Sequence, residues 1–195
     1  MQASTGVEYY LEKIKTAIDA VDKGYQEMTI FNHNRKPLVK FFERNWCYEF
    51  YRQLRNGGEN NINAEVPKAS REPMEEKFCP DFIIHKQGNN DENLLVIEVK
   101  IHKKNNYKEI AKDFSTLIKM THGNYCYKLG VWILINNDLN YVKKHVFKSK
   151  FLKKELEKKF DKEKIFVFTK DEEGKVEFDN LSNLIDIWLN KYIKA

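Results

Sequence analysis

Residues 128–136, KLGVWILIN, form an almost unbroken apolar run, and no other stretch restricts the fold as tightly. Such a run is short for a helix and rich in branched and aromatic side chains, so it reads as a strand buried on both faces. A strand of that kind needs a layer of structure on each side, and amphipathic helices are the available covers. Apolar material is sufficient, because hydrophobic residues make up 42% of the 195-residue chain and aromatics 13%. That length suits one compact domain, and that composition suits a packed core rather than disorder.

The remaining elements supply those covers. Thr5 and Glu8 have capping-box form, and Val7, Leu11, Ile14, Ile18 and Val21 recur at helical spacing, which predicts a helix over 5–23. Pro37 marks the expected start of a second helix, with Leu38, Phe42, Trp46 and Phe50 as its stripe and Asn56-Gly57-Gly58 after its end at Arg55. A polar, proline-interrupted stretch over 60–76 holds one short strand near 62–66. Phe82–His85 and Leu94–Ile101 then flank the turn cluster Gln87-Gly88-Asn89-Asn90-Asp91, a β-hairpin signal. Asn105 or Asn106 caps a helix carrying Tyr107, Ile110, Ala111, Phe114, Leu117 and Ile118, which ends by Gly123. A lysine-rich helix over 139–160, with a break near Ser149, follows the central run. Strands at Ile165–Phe168 and Val176–Phe178 surround a Glu173-Gly174 turn, and Leu181, Leu184, Ile185, Trp188 and Tyr192 make a last helix. The alternation predicts an α/β sandwich with a mixed sheet flanked by helices.

Polar residues inside the hairpin are the chemical signal. Glu98 and Lys100 interrupt a stretch that is otherwise Leu-Leu-Val-Ile-Val-Ile, and Asp81 opens the other strand. A turn centred between Asn89 and Asn90 sets Asp81 directly opposite Glu98, on the same face as Lys100 two residues on. Two opposed carboxylates repel unless something positive lies between them, and a divalent cation meets that need. Mg²⁺ takes one or two carboxylates and keeps positions open for phosphate oxygens, while a nearby lysine holds water or neutralises developing charge.

Pro80-Asp81, sixteen residues, then Glu98-Val99-Lys100, set within FCPDFII and LLVIEVK, resembles the signature of the PD-(D/E)XK nuclease superfamily. The resemblance covers about residues 38–136, with the helix at 5–23 and the segment 139–195 as additions to a single domain. It implies a restriction-endonuclease-like α/β/α sandwich. It also implies that Asp81 and Glu98 bind Mg²⁺ or Mn²⁺, that Lys100 assists the hydrolytic water, and that a glutamate from the preceding helix contributes. Glu49, at the edge of the Trp46–Phe50 stripe, is the candidate for that last place as catalytic residue and metal ligand. The implied activity is hydrolysis of nucleic acid, DNA ahead of RNA. The competing readings are a catalytically silent nuclease-fold module that binds nucleic acid, and a protein-interaction module; a homodimer is left open.

Other residues carry weaker signals. Glu65, Lys112, Asp113 and Lys119 are further polar candidates, though each suits a solvated surface. His85 and His102 share the strand parity of the carboxylates but lack the i, i+4 partner of a helical metal site, and Tyr51 and Trp46 suit the core. Between Tyr141 and Phe166 ten lysines face four acidic residues, either a solvated face or a track for a phosphate backbone. A net charge of +5 is compatible with a polyanionic partner without requiring one. Three scattered cysteines, no CxxC pair, no signal-peptide core and no bilayer-length apolar run fit a reducing cytoplasmic setting away from membranes. Phosphate-loop, dinucleotide, GxSxG and HExxH motifs are absent from the chain.

Overall fold

The structure is a computed structural model that describes residues 6–65, 79–86, 92–101, 106–122 and 125–185. Its elements run α1 (Gly6–Ala20), β1 (Glu27–Phe31), β2 (Pro37–Phe41), α2 (Glu43–Asn56), β3 (Ile62–Ala64), β4 (Phe82–His85) and β5 (Asn93–Ile101). They continue with α3 (Tyr107–His122), β6 (Leu129–Ile135), α4 (Leu139–Tyr141), α5 (Lys150–Leu156), β7 (Ile165–Lys170) and β8 (Val176–Asn180). β3 to β8 lie side by side in chain order in one six-stranded sheet. β5, β6 and β7 are mutually parallel, and β3–β4, β4–β5 and β7–β8 pair antiparallel. The sheet is therefore mixed, with helices on both faces.

Strand alternation sorts the core into two halves. Leu95, Ile97, Val99 and Ile101 of β5 pack with Ile14 and Ile18 of α1 and Trp46 and Phe50 of α2. Val96 and Ile83 point the other way, into a second cluster with Phe114 and Leu117 of α3 and Leu152 of α5. Leu181, Leu184 and Ile185, in a helical turn over 181–185, join that second cluster. Every residue of β6 is buried, as an unbroken apolar run requires when both faces are covered. By parity Glu98 and Lys100 belong to the α3 face of the sheet.

Two expectations need correction. The second helix does not begin at Pro37: residues 37–41 are a strand paired with β1, from Glu27↔Phe41 to Phe31↔Pro37. Asn32 drives this, its side chain accepting the N–H groups of Asn34 at 3.0 Å and Lys36 at 2.9 Å, with Arg35 in the left-handed region at φ 55°. Leu38 is consequently exposed, and the helix starts at Glu43. The lysine-rich helix is also shorter: α4 passes into a π-helical turn, Val142–Val146, and Ser149 caps α5 through Leu152 N–H. α5 then stops at Leu156 rather than running to residue 160. The Thr5 cap, the 87–91 turn, Asn105, His102, Gly123, Trp188 and Tyr192 lie outside the described residues. Among the described residues no helix is long and apolar enough to cross a membrane.

One polar contact fixes α1 to the far side of the sheet. The Lys170 ammonium, at the end of β7, donates to the carbonyls of Ile18 at 2.9 Å, Asp19 at 3.0 Å and Val21 at 2.7 Å. Carbonyls at a helix C-terminus have no partner within the helix, and a cation there satisfies them while meeting the negative end of the dipole. Lys170→Ala removes the donor from these carbonyls, of which only Ile18 keeps a second one, Val21 N–H at 3.3 Å, among the described residues. The substitution is expected to lower the unfolding free energy by about 2 kcal/mol in urea titration.

Candidate functional site

The β4–β5 ladder pairs Phe82 with Ile97, Ile83 with Val96 and Ile84 with Leu95. Carried one residue further, that register sets Asp81 opposite Glu98; the shift to His85↔Asn93 falls at the other end of the strand. Asp81 lies at the mouth of β4 and is locked in place. Its Oδ2 accepts the Val99 N–H at 2.7 Å, and its carbonyl accepts the Glu65 N–H at 2.9 Å. Glu98 is only 5% exposed, and its carboxyl group shares a hydrogen bond with that of Asp81. Burial first, and then the charge of Asp81, holds Glu98 well above the usual carboxylate range. Burial also pushes Asp81 up, against the pull of the Val99 N–H.

Lys100 completes the group from two residues along β5. Its ammonium lies 2.9 Å from Glu43 Oε1 and 3.2 Å from Asp113 Oδ2. Glu43 is the first residue of α2, and its other oxygen accepts the Ile101 N–H at 3.0 Å. Burial alone would lower the Lys100 pKa, but Asp113 and Glu43 outweigh it and leave the ammonium above its ordinary value. Asp113, from α3, is pushed by burial to about 7, with Lys100 pulling in the opposite direction. Lys100 is thus protonated at any physiological pH, while Asp113 titrates near neutrality.

The structure brings together Asp81, Glu98, Lys100 and Asp113 and adds Glu43; it does not bring in Glu49. Six residues separate Glu43 from Glu49, which turns the second some 240° round the helix from the first. Glu49 is instead clasped by Arg52, Nε to Oε2 at 2.8 Å, and by Gln53 at 2.6 Å. It lies outside the cavities that contain Asp81. Glu43 escaped sequence reasoning because a helix begun at Pro37 would place it mid-helix; an Asn-rich turn at 32–34 is the signal that moves the start to Glu43. Glu65 sits at the rim in an ion pair with Arg44 at 3.5 Å. His85 lies at the shifted end of β4, whereas Trp46 and Tyr51 pack in the core as expected.

A cleft of about 790 Å³ opens over these residues, lined by Asp81, Glu98, Lys100 and Asp113. Its walls carry five further lysines: Lys108, Lys112 and Lys119 on α3, and Lys150 and Lys154 on α5. A carboxylate floor beneath ammonium walls suits an anionic ligand approached through a cation. Among the described residues no three Asp, Glu, His or Cys side chains form a ready-made metal cage. The Asp81–Glu98 pair nevertheless fits a hard cation such as Mg²⁺, which needs only one or two carboxylates and fills its other positions with water. Burial raises the proton affinity of both carboxyl groups, and a cation held between them would offset the same desolvation and repulsion. The chain matches no family model, no curated protein and no solved structure.

Raised carboxyl pKa values mean that, between the ordinary 3.8 of an aspartate and about 7, the folded chain keeps a proton that the unfolded chain has released. Asp113 therefore contributes stability below that window and loses it as pH rises through about 7. Thermal melts of metal-free protein from about pH 5 to 8 are expected to show this loss, and Asp113→Asn to flatten it. An identical slope in the two proteins contradicts the assignment.

Proposed function

We propose that this chain is a Mg²⁺- or Mn²⁺-dependent phosphodiesterase of the PD-(D/E)XK type, hydrolysing nucleic acid and DNA ahead of RNA. The observation that carries the reading is the convergence of Asp81, Glu98 and Lys100 from two adjacent strands beneath a lysine-walled cleft. The order α2, antiparallel β3–β5, α3 and parallel β6 also supports it, being the helix–strands–helix–strand order that the resemblance implies for a restriction-endonuclease-like core. The preference for DNA comes from the resemblance alone.

Asp81 and Glu98 would hold the cation. Once bound, such an ion polarises the phosphate and offsets the negative charge that builds on its oxygens. The chain's own groups do the rest. Lys100, kept protonated, donates hydrogen bonds to water or to a phosphate oxygen and is unsuited to take a proton itself. Glu43 and Asp113 fix its direction from opposite sides. Asp113, titrating near neutrality, is suited to accept the proton released as water attacks. The wall lysines neutralise the flanking backbone charges of a polymer.

One observation favours a silent module: the Lys100 ammonium is already engaged by two carboxylates, which leaves a single N–H for any ligand. Assays with Mg²⁺ and Mn²⁺ on duplex, single-stranded and branched DNA and on RNA separate the readings. Asp81→Ala and Lys100→Ala should each reduce cleavage by about 100-fold or more. Glu43→Gln should cost about tenfold, and Glu49→Gln less than about threefold, because Glu49 is held away from the cleft. Absence of cleavage on every substrate sinks the catalytic reading.

A further inference from the structure

The ribbon β1–β2 stands outside the six-stranded sheet, and both its faces are largely exposed, with Ile30 and Phe41 half-buried. Phe31 is 69% exposed and Val39 51% on one face, and Met28 and Leu38 are nearly as open on the other. Two strands alone are marginally stable in water, so a bare apolar ribbon implies an occupant. The ribbon, residues 27–41, carries Arg35, Lys36 and Lys40 against one acid, Glu27 at its base, which pairs with Lys23 at 3.6 Å. The turn adds His33 and Asn34, both exposed.

We infer that this ribbon enters a groove of duplex nucleic acid and seats the polymer over the carboxylate cleft. A two-stranded ribbon fits a major groove about 12 Å wide, and strands of five residues reach about 17 Å into it. Arg and Asn at its tip match guanine and adenine edges, and the exposed apolar side chains suit thymine methyl groups. Charge argues against a second copy of the chain, since ribbon-to-ribbon pairing sets the same three cations against themselves. It also argues against a bilayer, which would have to bury the polar tip before reaching the apolar flanks.

Position strengthens the case. Phe42 N–H donates to the Gln26 carbonyl at 2.9 Å, closing the ribbon's base, and Gln26 Nε2 donates to Asn136 just beyond β6 at 2.9 Å. The next residue after Phe42 is Glu43, which holds Lys100. The inference rests on the nuclease reading for the identity of the polymer and adds its duplex form.

The test is fluorescence anisotropy of the full chain in EDTA with a labelled duplex of about 30 base pairs and the matching single strand, across a salt series. The triple variant Arg35→Ala/Lys36→Ala/Lys40→Ala should bind duplex at least about tenfold more weakly at about 0.15 M salt. Its log–log salt slope should be shallower by about 2.7, with an unchanged melting temperature. Phe31→Ser should weaken duplex binding while leaving that slope alone. Equal duplex affinity in parent and triple variant overturns the inference, as does a loss confined to self-association in sedimentation or to anionic vesicles. A parent that binds duplex through the ribbon yet cleaves nothing removes the catalytic reading and keeps this one; a triple variant that binds and cleaves like its parent does the reverse.

Discussion

A single ammonium group joins the three layers of this protein. Lys100 leaves the central sheet and meets Glu43 from the helix layer on one side and Asp113 from the layer on the other. Burying a lone charge would cost several kcal/mol, so the three groups are stable there only as a set. Their pairing positions the start of α2 and the middle of α3 against the same end of β5. The Asp81–Glu98 pair lies beside that frame, set face to face by the register of β4 and β5.

The site illustrates a general conflict between folding and chemistry. β5 is buried on both faces, and apolar residues would stabilise it best at every position. Glu98 stands in the middle of the strand, where burial disfavours its charged form. Asp81 and Asp113 add to that cost, and only Lys100 offsets part of it. Departures from the local rules of stability concentrate at functional sites, and Glu98 and Lys100 are departures of that kind in the interior of β5.

Much of this arrangement was readable from residue order, because period-two alternation and a turn cluster determine which strand residues face each other. The antiparallel register, the buried run at 129–135, the amphipathic helix over 107–122 and the break at Ser149 all follow from local patterns. Glu43 and the ribbon did not. Leu38, Phe42, Trp46 and Phe50 keep perfect helical spacing, yet the side-chain oxygen of Asn32 turns the chain and pulls Leu38 into a strand. Periodicity reports which residues are apolar, not whether a partner strand lies within reach. Asp113 was visible as a residue bordering an apolar face, but its contact with Lys100 depends on how α3 lies over β5, which no local pattern encodes.

The cation that closes the end of α1 has a bearing on the order in which the chain assembles. Lys170 lies about 150 residues after the carbonyls it satisfies, so α1 cannot reach its final seat until β7 has been made. At a synthesis rate of about 5–20 residues per second, the interval is on the order of ten to thirty seconds. During it, the apolar stripe of Leu11, Ile14 and Ile18 can pack on α2 but lacks its partners on β7 and β8. Docking of α1 on the sheet is thus a late event in assembly, completed by a strand far downstream of the helix it holds.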